Sequence, residues 1–191
     1  MILNVLLWVC LLLSIPFSNA EIVFVKQNSS PKYFDSESKQ IGLCDEVYLT
    51  LQTRLEKLGQ GAHIDPTLYP IKRTLGLLLS GKGHVFCGAG RNKEREQLYH
   101  YSEKPVYSVS NVLLMHNDDK YIANDYRDLQ ENKLLIGTYF GTSSSKFLKK
   151  LDGIRVLDHF TNLNDAIEQV ASKKIPYFYY HDLGLNYLVK Q

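Results

Sequence analysis

The strongest constraint on how this chain folds is its alternation of short strand-like runs with longer segments of helical period. Residues 21–25 (Glu-Ile-Val-Phe-Val) are β-branched and aromatic and read as a strand. Val47, Leu49, Leu51, Leu55 and Leu58 then recur at helical spacing between Gly42 and Gly59. His63-Ile64 begins a second strand. Pro70 stands where a helix would start, with Ile71, Leu75, Leu78 and Leu79 as its apolar face and Gly81 as its stop. Val85-Phe86-Cys87 reads as a third strand running into the loop Gly88-Ala89-Gly90. A β-α-β-α-β order requires crossovers, and so predicts a parallel sheet with right-handed connections.

The second half repeats the order without repeating the sequence. Residues 106–115 read as one long strand, long enough to leave one lobe and enter another. Strands follow at 134–137, 154–157 and 176–180. Between them lie a helix over 143–151, capped by Thr142 or Ser143, and a helix over 162–172 with Leu163, Ile167 and Val170 inward. Asp182 opens a last helical turn. The expectation is an α/β protein of two lobes, residues 21–110 and 111–191, with a cleft between them. Ligands of open parallel sheets sit beyond the carboxyl ends of the strands. Here those ends are residues 27–33, 87–95, 139–144 and 181–182: a glycine loop, an arginine, a Gly-Thr-Ser-Ser helix start, an aspartate and an aromatic.

Arg95 stands six residues before the Tyr101-Ser102 pair, with Pro105 and Tyr107 beyond. Its planar fork is suited to a carboxylate through two charge-assisted hydrogen bonds; the competing reading is a solvated surface arginine. Residues 1–20 have no charged side chain, an apolar run from Val5 to Leu13 and small residues at Ser18 and Ala20. They read as a signal peptide cleaved before Glu21, hence a secreted, periplasmic protein. The formal charge of +2 gives no support for a nucleic-acid surface. Cys44 and Cys87 form a candidate disulfide, the other reading being two buried small hydrophobes. The six histidines lack ligand spacing, so neither a metal site nor a cofactor is expected.

Taken in order, several motifs resemble the extracellular solute-binding proteins of family 3, the substrate-binding components of amino-acid ABC transporters. They are Pro31-Lys32-Tyr33, the Gly42 helix, Pro70 with Lys72-Arg73, Leu79-Ser80-Gly81-Lys82, Glu94-Arg95, Tyr101-Ser102 with Pro105, Asp128-Leu129, Gly141-Thr142-Ser143, Asp165-Ala166 and Tyr180-His181-Asp182. The resemblance spans nearly all of residues 21–190. It implies the type II periplasmic-binding fold, two αβ lobes closing by a hinge on a small carboxylate-bearing solute, a polar amino acid above all. It also implies a monomer whose partner is an ABC permease in the inner membrane. Carried over, Arg95, Thr142 and Ser143 would hold the ligand carboxylate, Asp182 its ammonium, and Tyr33 would stack on its side chain. Ala89 and Gly90 would offer backbone groups. Thr142, Ser143 and Asp182 also read simply as helix caps, Tyr33 as packing, and Lys72 with Arg73 as a solvated helix face. Two departures stand out. Gln27 occupies the place where amino-acid binders of the family often carry an aspartate, and the chain stops short of the segment that returns to the first lobe. A sensory input module and a dehydratase-like enzyme are the other functions this resemblance admits.

Overall fold

The computed structural model describes residues 20–190. The expected leader falls outside the described residues except for Ala20. β1 (Ile22–Gln27) pairs in parallel with β2 (Ala62–Tyr69), Ile22 opposite Ala62 and Gln27 opposite Tyr69, with α1 (Leu43–Lys57) as the crossover. The third strand expected at 85–87 is reduced to a single bridge between Phe24 and Val85. The reason lies in the partners of its backbone. His84 and Val85 both donate to Val23 O, but the Cys87 amide donates to the Tyr48 hydroxyl at 2.7 Å instead of continuing a ladder.

The face that α1 buries also differs from its leucine periodicity. Leu49, Leu51 and Leu58 stand 49%, 38% and 81% exposed, whereas Cys44 and Tyr48, one turn apart, are completely buried. They pack with Phe24, Tyr33, Ala62 and Cys87 into an aromatic core. Polar anchoring selects this face. The Tyr48 hydroxyl donates to Val25 O at 2.8 Å and accepts from Cys87, and Cys44 is bonded to Cys87. Asp45 fixes the start of the helix, accepting from the Gly42 and Phe34 amides and pairing with Lys26 at 3.0 Å. α2 (Ile71–Leu79) buries Ile71, Thr74 and Leu77 and leaves Leu79 in solvent. α3 (Lys93–Glu96) is a single turn after the glycine loop.

The second sheet runs β3-β6-β4-β5. β4 (Leu135–Tyr139) lies parallel to β5 (Arg155–Phe160) and to β6 (Tyr177–His181), while β3 (Asn111–Met115) joins β6 antiparallel. β6 is buried on both faces, and its side chains divide by the period of two. Tyr177 and Tyr179 join Leu129, Ile136 and Leu148. Phe178 and Tyr180 join Phe160, Leu163, Ala166 and Val170. α4 (Tyr126–Glu131), α5 (Ser143–Leu148), α6 (Leu163–Ala171) and α7 (Asp182–Val189) supply the covering layers. Gly137 in β4 is required by closeness: a Cβ there would sit 2.9 Å from Ile175 and Phe178.

The long strand expected over 106–115 is confined to its last five residues. Tyr107 still packs against the first core, whereas Ser110 already exchanges hydrogen bonds with Asp182 beside the second sheet. The chain passes between the two units in this stretch without a strand partner. Elsewhere the units touch through Tyr187 and Gln40, whose side chains bond at 2.7 Å, and through Lys72, whose ammonium lies 3.9 Å from the Phe140 ring centre. Among the described residues no helix is long and apolar enough to cross a membrane.

Candidate functional site

A cavity of about 940 Å³ opens between the two units. From the first unit, Gln27, Lys32, the 88–90 loop and Arg95 reach it; from the second, Thr142, Ser143 and His181 do so. These positions are the end of β1, the turn after it, the glycine loop, α3, the β4–α5 turn and the end of β6, so strand and loop termini converge as open α/β sheets require.

Arg95 is positioned by its own helix start. Asn92 caps α3 by accepting from the Arg95 amide at 2.9 Å, and the Arg95 Nη1 donates to Gly90 O at 3.1 Å. The Tyr101 hydroxyl donates to the same carbonyl at 3.2 Å. Gly90 therefore organises the arginine with its oxygen, while Ala89 lines the cavity beside it. Neighbouring Arg91 is paired with Glu96, whereas no carboxylate among the described residues lies within ion-pair distance of Arg95.

Thr142 is an N-cap: its hydroxyl donates to Tyr139 O at 2.8 Å and accepts from the Ser145 amide. Its side chain is thus engaged with backbone where it meets the cavity. Ser143 bridges the units, its Oγ accepting from Asn92 Nδ2 at 3.2 Å. The residue that positions Arg95 thereby also contacts the opposite wall.

Two expected site residues sit elsewhere. Tyr33 is wholly buried in the first core rather than placed over a ligand. Its hydroxyl donates to Cys87 O and lies 2.8 Å from that of Tyr48, and burial drives its pKa far above the ordinary phenol range. Asp182 does not line the cavity; its carboxylate accepts from the amides of Ser110 and Leu183 at 3.2 and 2.7 Å. As the first residue of α7 beside β3, it is committed to orphan backbone donors. Cys44 and Cys87 form a disulfide with Cα atoms 5.7 Å apart, which ties the glycine loop to α1.

Lys32 and His181 enter the site without having been assigned to it. Lys32 is 3% exposed and donates to Gln27 Oε1 at 3.3 Å. Burial, with Arg95 nearby, pulls its pKa down to about 8, so it remains a cation at neutral pH. His181 caps α7, its Nδ1 accepting from the Gly184 amide at 3.0 Å. Desolvation, assisted by Lys32, lowers its pKa to about 3 and keeps it neutral. The residues that could have signalled these roles were the neighbours: if Tyr33 and Asp182 are committed to packing and capping, the adjacent Lys32 and His181 are free to face the cavity. Among the described residues the acidic side chain that lines the cavity is Glu103, on an exposed loop. The site is therefore electropositive. Among the described residues no group of His, Cys, Asp and Glu could hold a metal ion.

No family model matches this chain, and no curated protein matches it either. Its shape does have counterparts. An ancestral arginine-binding protein bound to arginine superimposes with a TM-score of 0.71 at 21% identity, over 90% of this chain and 74% of that one. The ancestral amino acid-binding protein AncCDT-1, a precursor of cyclohexadienyl dehydratase, does so with 0.74 at 20% identity, over 89% and 74%. The substrate binding protein of an amino acid ABC transporter gives 0.71 at 18%, over 90% and 74%. The fold is thus the α/β, periplasmic-binding-protein-like fold of amino-acid binders.

Proposed function

We propose that the protein is a solute-binding protein that captures a small carboxylate-bearing solute for an ABC importer. The observation that carries this reading is the cavity between the units, where Arg95 comes from one wall and the Thr142-Ser143 turn from the other. A ligand held from both sides stabilises the closed arrangement of two lobes, residues 21–110 and 111–191, over the open one. The contacts that such a motion would break and remake are Asn92 with Ser143, Lys146 with Glu94 at 2.6 Å, and Lys72 over Phe140. Arg95 takes the carboxylate, with the backbone of Ala89 and Gly90 alongside. A permease in the inner membrane then reads the closed form, and a periplasmic location follows from that role. A polar amino acid belongs to this solute class.

Binding is favoured over catalysis by the state of the groups at hand. His181 is a weak proton acceptor at neutral pH, and Asp182 is occupied by backbone amides. The test is a thermal-shift screen of the purified protein against amino acids and small carboxylates. A ligand that binds only the folded state raises the melting temperature. A cooperative melt that no small carboxylate or amino acid moves would overturn the proposal.

A further inference from the structure

The first unit buries two lysines, and it treats them differently. Lys26 is 6% exposed and compensated, with Asp45 at 3.0 Å and Phe34 O at 2.8 Å. Lys32 is buried more deeply and, among the described residues, meets Gln27 Oε1 at 3.3 Å but no carboxylate within ion-pair distance. Its ammonium lies against Gly88 at the cavity wall, 3.6 Å from where a Cβ on that glycine would stand. An ammonium has three donors and no acceptor, so one amide oxygen leaves most of its capacity unmet. Burying such a charge is unfavourable unless an anion compensates it.

Two further groups in the cavity have the same bias. Arg95 donates to Gly90 O and, among the described residues, has no carboxylate within ion-pair distance. His181 accepts at Nδ1, which places its ring proton on Nε2, and that buried N–H has no hydrogen-bond partner among the described residues. Among the described residues no carboxylate lies within ion-pair distance of Lys32 or Arg95, Asp182 is turned to backbone amides and Glu103 is exposed. A ligand ammonium here would join two cations that have no ion-pair partner among the described residues.

We infer that the solute carries two anionic groups and no ammonium: a small dicarboxylate, one end on Arg95 and the other on Lys32 and the Nε2–H of His181. This rests on the solute-binding reading above and narrows it away from amino acids.

The test is calorimetric titration of the purified protein with linear dicarboxylates from succinate to adipate, with aspartate, glutamate and glutamine as their amine-bearing counterparts, and with arginine. At least one dicarboxylate should bind tenfold or more tightly than any of the amines. Lys32→Met should lower its affinity at least tenfold, while a monocarboxylate of the same length changes less than threefold. Equal or tighter binding of an amino acid would overturn this inference and leave the solute-binding reading standing. Dicarboxylate affinity unchanged in Lys32→Met would also overturn it. No heat from any of these ligands would overturn this inference too, and the solute-binding reading would then stand or fall on the thermal-shift screen.

Discussion

Replacing Lys32 with methionine should stabilise the unliganded protein at neutral pH, although it removes a hydrogen bond. The fold holds the Lys32 pKa near 8, against an ordinary value of 10.5, with burial as the main cause. Each unit of such a shift corresponds to about 1.4 kcal/mol, so the charged form is disfavoured by about 3 kcal/mol relative to the unfolded chain. Methionine fills similar space without a charge. Loss of the bond to Gln27 offsets about 1 kcal/mol of this gain. The net of about 2 kcal/mol corresponds to a rise in melting temperature of about 4–8 °C for a chain of this size.

The pH dependence gives the sharper test. The folded pKa is the lower one, so between about pH 8 and 10.5 the unfolded chain holds a proton that the folded chain has released, and wild-type stability rises through that window. The advantage of Lys32→Met should therefore be full below pH 8 and shrink above it. Comparing the two proteins cancels the tyrosines, several of which, Tyr48 and Tyr107 among them, have pKa values raised by burial. Differential scanning calorimetry at pH 7 and at pH 10 measures both quantities. A variant less stable than wild type at pH 7, or an advantage that is the same at pH 10, would refute the argument that Lys32 is an uncompensated buried cation.

Arg95→Ala should weaken ligand binding at least tenfold, about 1.4 kcal/mol, because a ligand carboxylate loses its charged partner; unchanged affinity by calorimetry places the pocket elsewhere. Replacing Cys44 and Cys87 together with serine opens a link across 43 residues and should cost about 4 kcal/mol by loop-closure entropy. Urea denaturation under oxidising conditions checks this, and a midpoint within error of wild type would contradict it. His181 has a folded pKa of about 3, below its unfolded value of 6.5, so its contribution is complete above pH 6.5. It is lost as the pH falls toward 3, at about 1.4 kcal/mol per unit. His181→Gln should flatten the stability profile over that window, and an unaltered acid slope would show that the histidine is not held neutral.

Much of the fold is legible because it rests on short-range signals. Pro70 begins α2, Asn162 caps α6, and the β-branched and aromatic residues of Ile22–Gln27 and Tyr177–His181 form strands where they are read. Arg95, Thr142, Ser143, Ala89 and Gly90 all reach one cavity, since strand-end loops of open sheets converge by topology. Less legible were the faces. The leucines of α1 have helical period, yet a disulfide and a tyrosine hydroxyl turn a different stripe inward. The strand expected at 85–87 and the first half of the one expected over 106–115 lack ladders for a comparable reason: their backbones meet side chains, or no neighbouring edge among the described residues.

By itself the sequence determines the order of the principal strands and crossover helices, the starts of those helices and the set of loops that meet, because propensity, capping and the handedness of crossovers act over a few residues or through connectivity. Which member of an adjacent pair reaches the ligand is decided by tertiary structure. In the pair Lys32-Tyr33, the tyrosine is claimed by Tyr48 and by Cys87, 54 positions away, and the lysine is left at the cavity wall. In the pair His181-Asp182, the aspartate is claimed by Ser110, 72 positions away, and the histidine faces the cleft. Partners so distant in the chain leave no local trace, and their claims set both the shape and the charge of the site.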